Sequence, residues 1–241
     1  VSMQPFGSEP ALMAEVAKSI EDRDFDILDI NMGCPVPKVV NNGEGSALLK
    51  NPNLIEEIVR KVSSAISKPL TVKVRIGFEN EPVDIVEIAK RIEDAGAAAL
   101  AVHGRTRQQY YSGTADWDTI RRVKEAITIP VIGNGDVDSP LKAEALVKQT
   151  GCDAVMVGRA VRGNPWLFRE LNHYFRTGEL LERPSVEEIR EMILRHARKQ
   201  IELKGEFVGI REMRKHVAWY TAGMRLSLIH ISEPTRRTPI S

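Results

Sequence analysis

The sequence predicts an α/β protein whose parallel strands follow the order of a (β/α)8 barrel, with a small helical domain after them. Two observations lead to this prediction. Short runs rich in β-branched residues alternate with amphipathic stretches, which is the pattern of repeated βαβ units. The polar residues of the predicted strands come late and on one face, which is typical of a barrel, because active-site groups project from the carboxyl ends of its strands.

Six strand–helix units follow one another along the chain. The first pairs VSMQPFG with the helical stretch PALMAEVAKSIEDRD. The five further predicted strands read, in chain order, DILDINMG, LTVKVRIG, ALAVHGRT, PVIGNGDV and AVMVGRA. Amphipathic stretches such as NPNLIEEIVRKVSSAI, VDIVEIAKRIEDAGA and SPLKAEALVKQTG predict connecting helices. This alternation alone fits a doubly wound sheet equally well.

The side-chain alternation within two strands distinguishes these folds. In LTVKVRIG, Thr71, Lys73 and Arg75 share one face, and the apolar residues between them form the other. In ALAVHGRT, His103 and Arg105 likewise lie on one face. A sheet covered by helices on both sides would be apolar on both faces. One polar face therefore favours the barrel.

Two glycine-containing loops predict a phosphate site. Asn134, Gly135 and Asp136 end one of the last two strands, and Gly158 and Arg159 end the other. In (β/α)8 barrels the loops after strands seven and eight commonly bind phosphate. Glycine lets backbone N–H groups approach the anion, and the guanidinium of Arg159 adds charge-assisted donors.

The pattern changes after the last strand. LERPSVEEIREMILRHARKQIELKG and VGIREMRKHVAWYTAGM have apolar residues at helical spacing, with Pro184 and Ser185 as a start signal. We therefore expect the strands and their helices over residues 1–178 and a helical domain over 179–225. Residues 226–241 lack such periodicity, and we expect a non-native or disordered tail there.

Composition narrows the class of protein. The 241 residues carry a formal net charge of +1, so nucleic-acid binding would have to come from a local cationic patch. The sequence has no apolar run of about 18 residues, so no membrane span is predicted. Cys34 and Cys152 form no disulfide framework and indicate a reducing, cytoplasmic environment. The histidines have no metal-ligand spacing, so no metal is expected.

Taken together, the motifs resemble those of the tRNA-dihydrouridine synthases, flavin enzymes that reduce particular uridines in tRNA. The similar segments are INMGCPVPKV with GSALL, VKVRIGF, VHGRTRQQYYSG, IGNGDV and VGRAVRGNPWLF, followed by the helical stretches. They occur in the family's order over roughly residues 1 to 224. NMGCP combined with HGRTRxQxYxG is far more specific than a lone glycine motif.

The resemblance implies a role for each candidate residue. It makes Cys34 the general acid, places the target uracil against Asn31 and Arg75, and turns Lys38 and Arg105 toward the RNA. It implies tRNA as partner, NADPH as reductant, and FMN as cofactor. The FMN would lie on the following residues, with its phosphate on the last five: Gln4, Lys73, His103, Asn134, Gly135, Asp136, Gly158 and Arg159.

The chemistry asks for two of these residue types independently. Hydride delivered to C6 of uracil leaves negative charge, which a proton at C5 removes. A free cysteine thiol titrates at ~8.5, so at neutral pH it still holds a proton to donate. A lysine inside a barrel, such as Lys73, is costly unless it is paired, and an anionic reduced flavin would pair it. The other interpretation of Lys73 is a buried lysine paired with a carboxylate.

The resemblance also concerns both ends of the chain. VSMQPFG corresponds to the family's third strand, so we expect two strands before Val1, and six strands alone cannot close a barrel. We therefore expect a fragment whose activity requires the missing strands. SLIHISEPTRRTPIS resembles translated sequencing-adapter sequence, so we expect residues from Leu226 onward to be non-native; a disordered natural tail is the alternative.

Two other functions stay open. An FMN barrel acting on a free pyrimidine, like a dihydroorotate dehydrogenase, has an Asn-x-x-Cys-Pro type of loop and the same twin-glycine phosphate site. HGRTRQQYYSG and the basic helical region argue against it. The second is an inactive fragment that binds phosphate or RNA.

Overall fold

A six-stranded parallel sheet forms the larger part of the fold in the computed structural model, which describes residues 1–79 and 83–224. Each strand pairs with the next one in chain order. A doubly wound sheet would reverse its strand order at a switch point. The consecutive order excludes that alternative and confirms the predicted α/β fold with a parallel sheet. The strands are Ser2–Met3 (β1), Ile27–Met32 (β2), Leu70–Gly77 (β3), Ala99–Thr106 (β4), Val131–Asn134 (β5) and Ala154–Met156 (β6).

One face of the sheet is apolar and sealed. Ile30, Val72, Leu100 and Val131 pair in one row across β2 to β5, and all four side chains are fully buried. Burying a side chain of this size stabilises the fold by about 1.5–3 kcal/mol. The predicted alternation along LTVKVRIG is confirmed on this face, because Val72 and Val74 are both fully buried.

Helices connect the strands and supply the other half of the core. They are Pro10–Ile20 (α1), Pro37–Val40 (α2), Pro52–Ala65 (α3), Ile85–Asp94 (α4), Trp117–Ala126 (α5) and Pro140–Thr150 (α6). The side chain of Asn51 accepts a hydrogen bond from the Leu54 N–H and caps α3, and Asp84 caps α4 in the same way. Residues three or four apart on α3 and α4 then face the core: Ile55, Ile58, Val59, Val62, Ile85, Ile88, Ala89 and Ile92.

The chain divides into two compact units, at Gly158/Arg159 rather than after residue 178. The second unit also takes in residues 138–140. Its helices are Leu167–Thr177 (α7), Val186–Lys204 (α8) and Glu206–Tyr220 (α9). The predicted start signal is confirmed, since Ser185 and Glu188 form a reciprocal capping box at α8. The expectations for residues 225–241 lie outside the described residues.

Among the residues that the structure describes, no helix is both long enough and apolar enough to cross a membrane.

Candidate active site

Two rows on the polar face of the sheet collect five of the predicted site residues. Asn31 of β2 pairs with Lys73 of β3. Two residues further along, Arg75 of β3 pairs with His103 of β4, which pairs with Asn134 of β5. Because successive side chains of a strand alternate between faces, both rows lie on the same face. The structure thus brings these residues together at the carboxyl ends of the strands.

The loop after β2 holds Cys34 by its backbone. Asn31 Oδ1 accepts hydrogen bonds from the N–H groups of Gly33 (3.1 Å) and Cys34 (2.9 Å). The carbonyl oxygen of Cys34 accepts from Ser46, from its backbone N–H at 3.1 Å and its hydroxyl at 2.9 Å. Gly45 has φ +58°, and a Cβ there would lie 2.9 Å from Cys34 Cβ. The loop backbone is therefore fixed, while the thiol stays partly exposed.

A buried carboxylate that we had not predicted lies behind this loop. Asp29 of β2 is 7% exposed and accepts hydrogen bonds from Thr71 Oγ1 (2.6 Å) and Gln4 Nε2 (2.5 Å). Asn31 Nδ2 donates to Gln4 Oε1 at 3.1 Å. The Gln4 amide, predicted to contact the cofactor, is thus hydrogen-bonded within the protein. The signal for Asp29 in the sequence is a charged residue inside an apolar strand, ILDIN.

Lys73 is a partly buried ammonium on this face. Its pKa is lowered to about 8: desolvation is the largest cause, the positive charge of Arg75 adds to it, and the charge of Asp29 opposes both. Within the described part of the chain, Lys73 has no hydrogen bond and no ion pair. The alternative interpretation, an ion pair between Lys73 and a carboxylate, is therefore not observed among these residues.

His103 is held neutral beside Lys73. Its pKa is lowered to about 3, mainly by desolvation; the nearby charges of Arg75, Lys73 and Arg105 add to the shift, and the charge of Asp136 opposes it. The side chain is 8% exposed. At neutral pH the imidazole therefore carries one N–H donor and one acceptor nitrogen, and no charge.

Arg75 connects two loops. Its Nε donates to the carbonyl oxygen of Gly33 at 2.9 Å, and its Nη1 donates to those of Thr106 (2.9 Å) and Tyr110 (3.0 Å). Its guanidinium carbon lies 5.8 Å from the centre of the Tyr111 ring. Arg75 Nη2 has no hydrogen bond with the described residues. Nε therefore holds the Cys34 loop, Nη1 holds the loop after β4, and Nη2 is left for a ligand.

The expectation that Arg105 faces RNA is wrong for this structure. Its side chain is 2% exposed, and its Nη2 lies 2.8 Å from Asp136. Nε donates to the carbonyl oxygen of Ser112 at 3.0 Å, and Nη2 donates to that of Gly113 at 2.6 Å. The loop after β4 folds back over the strand end and supplies these acceptors, so the charge is neutralised inside the protein. Nη1 is buried without a partner among the described residues.

The loop after β5 is the first part of the predicted phosphate site, but its Asn134 and Asp136 side chains form hydrogen bonds with other protein groups. Asn134 Nδ2 donates to the carbonyl oxygen of Met156 at 2.8 Å. Asp136 accepts from the Ala115 N–H at 2.7 Å, in addition to its ion pair. Gly135 has φ +132°, so a side chain would be strained there. Any anion at this loop would therefore meet backbone N–H groups rather than these side chains.

Three further predicted residues lie in other segments of the chain. Lys38 is exposed on the short helix α2. Gly158 ends the first unit, and a Cβ at Gly158 would meet nothing within 4 Å, so the backbone there is open to a ligand. Arg159 begins the second unit.

The donors on the polar face suit an anionic, planar group. Within residues 1–79 and 83–224, Lys73 offers an ammonium without an acceptor, His103 offers a neutral imidazole, and Arg75 offers one nitrogen without a hydrogen bond. No group of three or more His, Cys, Asp or Glu side chains in residues 1–79 and 83–224 could hold a metal ion. The groups described on this face are hydrogen-bond donors and acceptors, charged side chains and one thiol.

The second unit contains a groove of its own, with a volume of about 800 Å³. Three exposed arginines line it, Arg169 and Arg176 on α7 and Arg183 in the segment before α8. Among the described residues, none of the three has a hydrogen bond or an ion pair. Asn172 and His173 lie between the first two arginines on the same side of α7. We call this feature the arginine groove.

Comparison with known proteins identifies relatives over most of the chain. The family model for dihydrouridine synthase matches residues 1–230. The tRNA-dihydrouridine synthase B of Shewanella oneidensis is 48% identical over 219 residues, which are 91% of this chain and 68% of that protein. The protein of the same name from Pseudomonas aeruginosa is 46% identical over 221 residues, 92% of this chain and 67% of the relative. The chain thus spans about two thirds of these relatives.

Solved structures resemble the fold at low sequence identity. A 6-hydroxypseudooxynicotine amine oxidase from Pseudomonas geniculata and a histamine dehydrogenase from Rhizobium both superpose with a TM-score of 0.53 and 15% identity. Each match covers 68% of this chain, and 28% and 27% of the respective structures. At this identity the likeness supports the fold alone.

The depressed pKa of Lys73 predicts how stability depends on pH. The pKa is about 8 in the folded chain against an ordinary 10.5. The unfolded chain therefore binds more protons between these values, and stability rises with pH across that window. Lys73→Met removes this effect. The difference in unfolding free energy between the variant and the parent should therefore fall by up to about 3 kcal/mol between pH 8 and 10.5, because the parent gains stability over this range and the variant does not. Urea denaturation followed by circular dichroism measures it.

The matched control is Lys61→Met, because Lys61 is an exposed lysine paired with Glu57 at 3.0 Å. Its difference from the parent should be nearly constant over the same pH range. A constant difference for Lys73→Met as well would show that Lys73 is not desolvated.

Proposed function

Because the chain belongs to the dihydrouridine synthase family, we propose that it reduces uridine in tRNA to 5,6-dihydrouridine, with FMN as cofactor and NADPH as reductant. The observation that carries this proposal is the placement of a partly exposed thiol, Cys34, at the end of a polar face that holds Lys73 and His103. We further propose that the six strands are part of a (β/α)8 barrel. Since tRNA is the substrate, the reaction would take place in the cytoplasm.

The residues present fit an FMN. Lys73 and His103 would hold its ring system, because a lysine without an acceptor favours an anionic partner. The backbone N–H groups around Gly135 and Gly158, with Arg159, would bind its phosphate. When bound and reduced, FMN supplies the hydride that C6 of the uracil receives.

Cys34 would supply the proton. The thiol S–H bond breaks and a C–H bond forms at C5 of the uracil, which removes the charge left by hydride addition at C6. The thiolate then regains a proton from water, to which its partly exposed position gives access. The Asn31 and Ser46 hydrogen bonds hold the Cys34 backbone in one place, and such positioning is a large part of general-acid catalysis.

Asn31 and Arg75 would hold the base. Asn31 Oδ1 accepts hydrogen bonds from two N–H groups of the loop, so both of its lone pairs are used. What Asn31 can offer the base is therefore an N–H donor. Arg75 Nη2, which has no hydrogen bond among the described residues, is a second donor. Two donors match the carbonyl oxygens of uracil. RNA-bound uridine is favoured over a free pyrimidine because the relatives at 46–48% identity are named for tRNA.

The second unit would bind the tRNA backbone. The arginine groove is lined by three arginines and two glutamates, Glu182 and Glu188. None of the three guanidinium groups forms an ion pair among the described residues, and guanidinium groups bind phosphate in a bidentate manner. The cationic side chains of α8 and α9, including Arg198 and Lys215, would extend this surface. The net charge of +1 does not conflict with RNA binding, because the cations are concentrated locally.

Replacement of the thiol tests the role of Cys34. In a protein that carries the complete barrel, Cys34→Ala should retain FMN but lose uridine reduction by about 10²–10⁴-fold, the usual effect of removing a positioned general acid. Dihydrouridine in digested tRNA, measured by mass spectrometry, is the readout. Cys152→Ala is the control: Cys152 is a buried cysteine, 3% exposed, with no part in the proposed site, and this variant should keep the parental rate. A parental rate in Cys34→Ala would exclude the thiol as proton donor.

Charge reversal tests the arginine groove. Arg176→Glu together with Arg183→Glu should weaken tRNA binding and make it less dependent on salt, because each lost phosphate contact removes about 0.7–0.9 from the slope of log K against log salt. FMN content and NADPH oxidation should be unchanged. Binding is measured by fluorescence anisotropy at several salt concentrations.

A second double reversal provides the matched control. Arg190 and Lys204 are surface cations of the same unit, and they lie near Glu191 (3.7 Å) and Glu212 (2.7 Å). Arg190→Glu with Lys204→Glu makes the same change in net charge but should reduce the slope less. Equal slopes for both double variants would show that the groove has no special role.

A further inference from the structure

We propose that Asp29 is a positioning residue: through Gln4 and Asn31 it holds the Cys34 loop in place and directs one N–H of Asn31 at a carbonyl oxygen of the substrate base. The part that concerns the base rests on the proposed function. The part that concerns the Cys34 loop does not.

Four side-chain groups and two backbone groups form a continuous chain of hydrogen bonds. Thr71 Oγ1 donates to Asp29 Oδ1 (2.6 Å), and Gln4 Nε2 donates to Asp29 Oδ2 (2.5 Å). Asn31 Nδ2 donates to Gln4 Oε1 at 3.1 Å. Asn31 Oδ1 then accepts from the N–H groups of Gly33 at 3.1 Å and Cys34 at 2.9 Å. Every donor in the chain points toward Asp29.

The carboxylate sets this direction. An ionised carboxylate can only accept hydrogen bonds, so Gln4 must turn its NH₂ group toward Asp29. The Gln4 oxygen then faces Asn31, so Asn31 must turn its NH₂ group toward that oxygen and donate to it. The Asn31 oxygen is left facing the loop, where two backbone N–H groups require an acceptor. Reversing either amide would place like groups against each other at both of its ends.

Counting donors shows what Asn31 can offer a ligand. An amide oxygen has two lone pairs and an amide nitrogen has two hydrogens. The loop uses both lone pairs of Asn31 Oδ1, and Gln4 uses one hydrogen of Nδ2. One N–H is left, and it fits a carbonyl oxygen but not an amino group. Asp29 thus determines that Asn31 acts as a hydrogen-bond donor toward the ligand, although Asp29 does not contact the ligand itself.

A role for Asp29 as a simple counter-ion of Lys73 is the alternative. Asp29 raises the pKa of Lys73, so the two charges do interact. No ion pair joins them in the part of the chain that the structure describes. The carboxylate instead directs its two oxygens at Thr71 and Gln4. Its contacts therefore support the relay.

The test follows the reactivity of Cys34 in the ligand-free protein. The rate of alkylation by iodoacetamide is measured at fixed pH, with Cys34→Ala as the blank for Cys152. Asp29→Leu removes both acceptors, and Cys34 should react about fivefold faster, the equivalent of one net hydrogen bond lost from the closed loop. Asp29→Asn should restore the parental rate within about twofold, because its oxygen can still accept from Gln4 while its NH₂ group donates to Thr71.

Gln4→Leu breaks the relay one step nearer the loop. Its side chain is exposed, so this variant leaves the core intact even if Asp29→Leu fails to fold. It should also react about fivefold faster, and the double variant should react no faster than either single one, since all three cut the same chain. Asp153→Leu is the control: it removes a carboxylate that accepts from the Val131 N–H at the opposite ends of the strands, and it should not change the rate.

A parental alkylation rate in folded Gln4→Leu, or fully additive effects in the double variant, would overturn the role in holding the loop. With tRNA, Asp29→Leu should lower kcat at least fivefold more than it raises KM; equal changes in both would overturn the aiming of Asn31. If no variant, including the parent, formed dihydrouridine in a protein that carries the complete barrel, the proposed function and the aiming of Asn31 would fall, and the alkylation result would still decide whether Asp29 holds the loop.

Discussion

The parallel, consecutive pairing of the strands is the constraint on which the site depends. It forces every strand to end at the same edge of the sheet, and it places paired residues in rows on one face. Lys73 lies beside Asn31, and Arg75 lies beside His103. This register is fixed, because a shift of one residue would turn these polar side chains into the apolar core. The fully buried row on the other face, which includes Val72 and Leu100, opposes such a shift.

The polar face has an energetic cost that is met unevenly. Arg75 and Asp29 satisfy most of their hydrogen bonds within the protein, and Arg105 is neutralised by Asp136. Lys73 is the exception, with a lowered pKa and no hydrogen-bond acceptor among the described residues. Native proteins give up stability mainly where function requires it, and an unmatched ammonium on a shared face marks the position at which an anionic ligand would contribute most.

Much of the fold and part of the site could be predicted from the sequence. The strict alternation in LTVKVRIG and ALAVHGRT was enough to assign β3 and β4 and the face on which Lys73 and His103 lie. The burial of Arg105 could not be predicted, because it depends on the path of the following loop. Tyr110 has φ +53° and Gly113 has φ +63°, and these turns bring the carbonyl acceptors back to the guanidinium. The relay from Asp29 was missed because its partners Gln4 and Thr71 are distant in sequence.

Binding of FMN to the purified chain is the most direct measurement of whether the polar face of the sheet is the cofactor site. Titration followed by quenching of flavin fluorescence should show saturable binding to the parent and to Cys34→Ala. Lys73→Met should bind at least tenfold more weakly, about 1.4 kcal/mol for the loss of its charge from the face. Equal binding by the parent and Lys73→Met, or no saturable binding by either, would contradict the assignment of this face to the flavin.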